Sequence, residues 1–195
     1  PPKYERLRRT THLRVRACGA QFNVTADLAA LGKRTALITK LPDNELGYLA
    51  QSLAAGYGVD TSHIQFVDGA RIGMVFAEFS VSPRGYVHIY DRVESAARTI
   101  SPEDFLWRDI LNQARFVYLD GIFMALGPRC FAAALEFIES AREAGCVICF
   151  DVNYRESLWE TGEAIRAYAQ ILPYVDILVT NRQVSEHVFK YKGED

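Results

Sequence analysis

The sequence predicts an α/β fold built on a mostly parallel, doubly wound sheet that is interrupted by a small β excursion. Three observations predict it. Short apolar runs of strand length alternate with longer runs of helical period, which calls for crossover connections between parallel strands. Polar residues follow the apolar runs directly at Asp120-Gly121, at 151–155 and at 180–182, the edge where open α/β sheets gather ligands. Residues 71–90 break the alternation with two adjacent extended stretches.

The elements follow in order. Val24 to Leu31 has a helical pattern that Gly32 ends, and Thr35 to Lys40 is a short apolar strand. Asp43-Asn44 offers a cap to a helix over Glu45 to Ala55, closed by Gly56 to Gly58 and followed by a strand at His63 to Val67. Arg71 to Phe79 and Gly85 to Tyr90 form a hairpin joined by the turn-rich 82–85. Ser101-Pro102-Glu103-Asp104 is a capping box with proline at the first helical position, predicting a helix to about Asn112. Alternation then resumes: a strand at Phe116 to Asp120, a helix at Pro128 to Ala144, a strand at Cys146 to Asp151, a helix at Gly162 to Leu172 and a strand at Val175 to Thr180.

The 195 residues, 49% hydrophobic and 24% charged, suit one soluble domain over 1–195, with no internal repeat or linker. Twenty-two basic against 24 acidic residues leave a formal charge of -2, which offers no bulk attraction to nucleic acid or to a membrane surface. The basic opening is interrupted by Glu5 and Leu7 and receives no binding role. No apolar run approaches the roughly 20 residues of a membrane span and no secretory apolar core opens the chain, so a cytoplasmic location is expected. Cys146 and Cys149 lie three apart on a strand and face opposite sides, and His12, His63, His88 and His187 are scattered, so no metal site is assigned. A dehydrogenase-type nucleotide fold is not expected, because no Gly-x-Gly-x-x-Gly follows a strand.

Three constellations have the chemistry to hold a polyol acid. Gly19 lets a ligand approach the backbone, and the Asn23 amide both donates and accepts, although a plain turn before a helix fits these residues as well. Asp151-Val152-Asn153-Tyr154-Arg155 brings a fixed cation to a strand end, suited to gripping a carboxylate or phosphate in a fork; a capping Asp151 and a surface Arg155 fit the same residues equally well. Tyr90 and Arg92 share one face of an extended strand, a pattern that solvated strands also show.

These pieces, in this order, resemble the PfkB, or ribokinase-like, carbohydrate kinases, and among them most the 2-keto-3-deoxygluconate kinases. The resemblance rests on 18–23 through Leu31-Gly32, on Lys40-Leu41-Pro42-Asp43-Asn44-Glu45-Leu46-Gly47, on Asp151 to Arg155 with Leu158-Trp159, and on 172–178. It implies a ribokinase-like three-layer αβα sandwich, incomplete in this chain, with lid strands within about 12–18 and 71–92. It also implies ATP-dependent phosphorylation of a sugar acid such as 2-keto-3-deoxygluconate, with ATP and Mg2+ as cofactors and commonly a homodimer through the lid. Carried over by position, Gly19, Ala20 and Asn23 resemble the sugar-binding loop, Tyr90 and Arg92 the lid contacts, Arg155 the substrate clamp, and Asn153 and Asn181 the nucleotide side. Cys18 replaces the first glycine of the family's pair, Val75 an aromatic contact and Val184 a magnesium-organising glutamate, with Glu186 two residues late. The family's catalytic aspartate, in a Gly-Ala-Gly-Asp-like helix start, is expected beyond Asp195, so the isolated chain is expected to be inactive. The alternative is a non-catalytic sugar-binding or dimerisation module of the same fold.

Overall fold

The computed structural model describes residues 5–79, 83 and 85–191. The expected turn at 82–85 and the start of the basic opening fall partly outside them. The chain divides into two compact units, Pro1–Thr99 and Ile100–Asp195.

In the first unit, helix α1 spans Ala20–Ala30, four residues earlier at its start than the apolar pattern predicts. The cause lies at Gly19, whose φ of 155° and ψ of 146° are nearly closed to other residues, and whose carbonyl accepts the Asn23 N–H at 2.8 Å as the first helical bond. Strand β1 is Thr39–Pro42, displaced toward the C-terminus from the predicted Thr35 to Lys40. It pairs in parallel with β2, Ile64–Val67, while Ala36 makes an isolated bridge to Asp60. Between bridge and ladder the Asp60 carboxylate accepts the Ser62 N–H at 2.8 Å, and this local turn interrupts the pairing. Helix α2, Glu45–Gly56, lies between the strands, and Asn44 caps it by accepting from Leu46 N at 3.0 Å and Gly47 N at 3.2 Å. The predicted hairpin is present as β3, Met74–Glu78, antiparallel to β4, Val87–Asp91. Residues 12–18 contain no strand: the alternation of Leu13 and Val15 with Arg14 and Arg16 is strand-like, yet both apolar side chains are exposed and no strand pairs with them among the described residues.

The second unit holds a parallel sheet in the order β5, Phe116–Asp120, then β6, Val147–Asp151, then β7, Ile177–Val179. Buried Ile148 and Phe150 alternate with partly exposed neighbours along the central strand. After the short α3, Trp107–Leu111, and α4, Gly121–Met124, helix α5 runs over Pro128–Glu143 and buries Cys130, Ala133, Ala134, Ile138 and Ala141 along one helical stripe. Helix α6, Thr161–Ile171, does the same with Ala164, Ala167, Tyr168 and Ile171. Asp176 anchors the start of β7 by accepting the Ile148 N–H at 2.8 Å.

The continuous helix predicted from Ser101 to Asn112 is instead a 3₁₀ turn over Pro102–Asp104 followed by α3. The capping box forms, with the Ser101 N–H donating to Asp104 Oδ2 at 2.6 Å, but Phe105 turns extended. Phe105 and Trp107 are both buried, with rings 5.0 Å apart, and Trp107 packs on Phe137 at 5.5 Å. Residues two apart on a helix point to nearly opposite sides, so burying both aromatics in one core requires the break. A seventh helix, α7 at Arg182–Val188, lies past the last predicted element. None of the four cysteines is in a disulfide, and Cys146 is buried.

Candidate functional site

In the first unit, Gly19, Ala20 and Asn23 lie together at the N-terminal turn of α1, with Gly19 and Asn23 exposed. Tyr90, on β4, and Arg92, just after it, are brought together: the Arg92 guanidinium carbon stands 4.7 Å from the Tyr90 ring centre, as two side chains on one strand face allow. His88 continues that face, its ring 6.3 Å from Tyr90 and nearly parallel to it. Val75 is the register partner of Tyr90 across the hairpin. Next to these, Arg71 pairs with Asp91 and so neutralises the acid that separates Tyr90 from Arg92 in sequence.

In the second unit the candidate residues cluster where the parallel strands end. Asp120 and Asp151 are register partners, the last residues of β5 and β6. Asp151 receives the Tyr118 hydroxyl at 3.1 Å on one oxygen and the Asn153 N–H at 3.1 Å on the other. Asn153 has φ 34°, the left-handed region that asparagine tolerates better than most residues, so the chain turns sharply on leaving β6. Two residues on, Arg155 is exposed, and its carbonyl closes a turn by accepting Leu158 N at 2.9 Å. No ion pair engages its guanidinium among the described residues. Asn181 caps α7, its Oδ1 accepting the Val184 N–H at 2.9 Å, which leaves the amide nitrogen as the group it can offer a ligand. Glu186 pairs with Arg182 at 2.9 Å, one turn away on the same helix.

Asp120 received no role in the sequence reading, although the strand end it occupies was singled out. Its side chain is wholly buried: Oδ1 accepts Phe123 N at 3.0 Å and caps α4, whereas Oδ2 is buried without a hydrogen-bond partner. Burial, and secondarily the neighbouring Asp151 charge, pushes its carboxyl up to about 6. Tyr118 and Tyr168 are pushed above the ordinary tyrosine range, chiefly by burial and then by nearby groups, with Asp151 first among them for Tyr118 and Tyr154 for Tyr168. The only sequence signal for this is an acid directly after the four apolar strand residues 116–119 and directly before a glycine. That glycine allows a close approach: a Cβ on Gly121 would sit 2.2 Å from the Val152 carbonyl oxygen and 2.8 Å from Tyr168 Oη. Tyr168 donates to the same Val152 carbonyl at 3.0 Å, so β5, β6 and α6 are locked together beneath the ligand edge.

The sequence profile of the pfkB family of carbohydrate kinases matches residues 2–195. The 2-dehydro-3-deoxygalactonokinase of Haloferax volcanii is 34% identical over 194 residues, covering 100% of this chain and 60% of that protein. The crystal structure of 2-dehydro-3-deoxygluconokinase from Thermotoga maritima superposes with a TM-score of 0.96 at 35% identity, over 100% of this chain and 60% of that one. A sugar kinase from Pyrococcus horikoshii in complex with ATP shares the fold at a TM-score of 0.79 and 22% identity, over 91% of this chain and 57% of that one. The chain thus spans about 60% of the length of these relatives. Fold, motif order and profile agree: the chain belongs to the pfkB family of carbohydrate kinases and has their ribokinase-like α/β sandwich.

Proposed function

We propose that the protein takes part in ATP-dependent phosphorylation of a sugar acid of the 2-keto-3-deoxygluconate type, and that this chain carries its acceptor-binding residues. One observation carries the reading: Arg155 projects from a turn fixed by Asp151 and Asn153 at the open end of a parallel sheet, with no ion pair to its guanidinium among the described residues. A guanidinium so held suits a carboxylate, which it can meet with two parallel hydrogen bonds. Phosphorylation of a 2-keto-3-deoxy sugar acid by the Haloferax and Thermotoga relatives supports that substrate class.

In this reading Gly19, Ala20 and Asn23 receive the polyol hydroxyls, Tyr90 and Arg92 make further contacts to the acid, and Arg155 takes the carboxylate. Asn153 and Asn181 serve the nucleotide side, where each offers an amide to phosphate oxygens. ATP would supply the phosphoryl group and magnesium would offset its charge. The face of β4 opposite Tyr90, which exposes Val87 and Ile89, is the proposed contact between two copies.

Thermal-shift titration of the chain with 2-keto-3-deoxygluconate tests the reading, because a ligand specific for the folded state raises its stability. The expected outcome is a saturable rise that Arg155→Ala weakens by about tenfold or more in apparent affinity. An Arg155→Ala titration indistinguishable from wild type removes the clamp.

A further inference from the structure

The loop 152–160 between β6 and α6 carries Arg155, and its two ends are held by burial. Val152 is fully buried and its N–H donates to Val179 O at 2.9 Å; Trp159 is buried, its ring edge-on to Tyr168 at 5.4 Å. The middle, with Arg155, Glu156 and Ser157 all exposed, has no such packing. What fixes it is a chain of hydrogen bonds outside the sheet. The Tyr154 hydroxyl meets Thr161 Oγ1 at 2.9 Å, and the same Thr161 oxygen meets His187 Nε2 at 3.2 Å. The Tyr154 and His187 rings lie 6.1 Å apart, Glu156 comes within 4.0 Å of His187, and the Tyr154 hydroxyl also reaches Trp159 O at 3.4 Å. Thr161 is the first residue of α6, and His187 is in the last turn of α7, the helix that Asn181 caps.

Resting on the sugar-acid reading above, we propose that Thr161 and His187 are positioning residues for Arg155, acting through Tyr154 as a hydrogen-bonded strap that ties the clamp loop to helix α7. Tyr154 is the residue directly before Arg155, so restraining its hydroxyl restrains the backbone from which the guanidinium projects. A clamp held in place loses less conformational freedom on meeting its anion, which appears as affinity. Because the strap ends on α7, the sugar-acid grip and the Asn181 turn are joined by one line of contacts. A hydroxyl at 161 and a side-chain hydrogen-bonding atom at 187 are the parts this requires; the rest of each side chain is dispensable.

The test is run on this chain with 2-keto-3-deoxygluconate as probe, by thermal-shift titration together with hydrogen exchange of the 153–158 amides. Thr161→Val keeps the shape and removes the hydroxyl. It is expected to weaken binding about fivefold, the worth of one modest hydrogen bond, and to speed exchange at 153–158 in the free protein. Thr161→Ser and His187→Gln, which retain a hydrogen-bonding atom at each place, are expected to stay within about twofold of wild type, and His187→Ala to follow Thr161→Val. Binding and exchange both unchanged in Thr161→Val and His187→Ala overturn the strap, as does an equal loss in the Ser and Gln variants. If wild-type chain shows no response to the sugar acid, the substrate reading has failed separately, and the exchange rates alone decide: unchanged rates at 153–158 in Thr161→Val dismiss the strap.

Discussion

The two units bury different things. Among the described residues, the hydrophobic core of the first is built from Ala26, Ala54, Val59, Ile64 and Ala96, while its hairpin leaves Phe79, Tyr86, Ile89 and Tyr90 exposed. The second fully buries Leu111, Met124, Ile138, Ile148, Phe150, Tyr168 and Ile171, and an ionisable Asp120 with them. Apolar area removed from water is worth about 25 cal/mol per Å², so the large side chains make the second unit the more strongly held. The difference shows in how candidate residues are presented. Those of the first unit stand on a helix start and a hairpin whose aromatics face water; those of the second stand on strand ends braced by buried contacts.

The sharpest way to break this contrast is to overfill the second unit beneath its ligand edge. Gly121→Ala places a methyl 2.2 Å from a backbone oxygen of the β6 end, so β5 and β6 must separate or the Tyr168 bond to Val152 must be lost. We expect about 4 kcal/mol of destabilisation, combining overpacking with a buried hydrogen bond, read from denaturant midpoints. A cost under about 1 kcal/mol means that the strand ends yield easily and that the contrast between the units is overstated.

The second prediction uses the buried acid. The Asp120 carboxyl titrates in the folded chain near 6, against 3.8 for the free group, so the folded state holds its proton longer than the unfolded state does. The stabilisation is therefore complete below about 3.8 and is lost as pH rises through about 6. The difference corresponds to about 3 kcal/mol. Asp120→Asn keeps an oxygen for the Phe123 cap and removes the titration. The stability of wild type relative to Asp120→Asn is expected to fall by about that amount between pH 4 and 7, measured from denaturant midpoints across the range. A difference that stays flat shows that Asp120 ionises without cost, as an exposed acid would. The titratable groups facing it, Asp151, Tyr118 and Tyr168, bring no positive charge to offset that cost.

How far the sequence reached follows the same division between pattern and packing. Strand β5 and helices α2, α5 and α6 were legible to within a residue or two, because each has a clean apolar period and a capping or breaking residue at its ends. The break at Phe105 was not, since it depends on two aromatics having to reach the same core, a tertiary demand that overrides a valid capping box. The β1 register was set by a turn in its partner. At the site, Arg155, Asn153 and Asn181 were legible as polar residues after strands. Tyr154, Thr161 and His187 were not, because a tyrosine and a threonine 7 positions apart and a histidine 26 positions further on carry no local signal of meeting. Asp120 shows the same limit: a strand-end acid reads alike whether exposed or sealed, and only the packing of α4 and α6 decides.

The smallest expected effect tests the first unit. If its elements depend more on local bonds than on a large core, removing one cap should cost what the cap is worth alone and no more. Asn44→Ala takes away the side-chain acceptor for Leu46 N and Gly47 N at an exposed helix start. About 1 kcal/mol is expected, seen as a small drop in denaturant midpoint with an unchanged slope. The position is demanding for another reason: α2 enters so close to β1 that a Cβ on Gly47 would lie 1.9 Å from the Pro42 carbonyl oxygen, so the cap also sets the angle at which the helix passes the strand. If Asn44→Ala instead costs as much as Gly121→Ala, that passage is a cooperative core in its own right, and the first unit is held as tightly as the second by contacts between backbones that side-chain burial does not register.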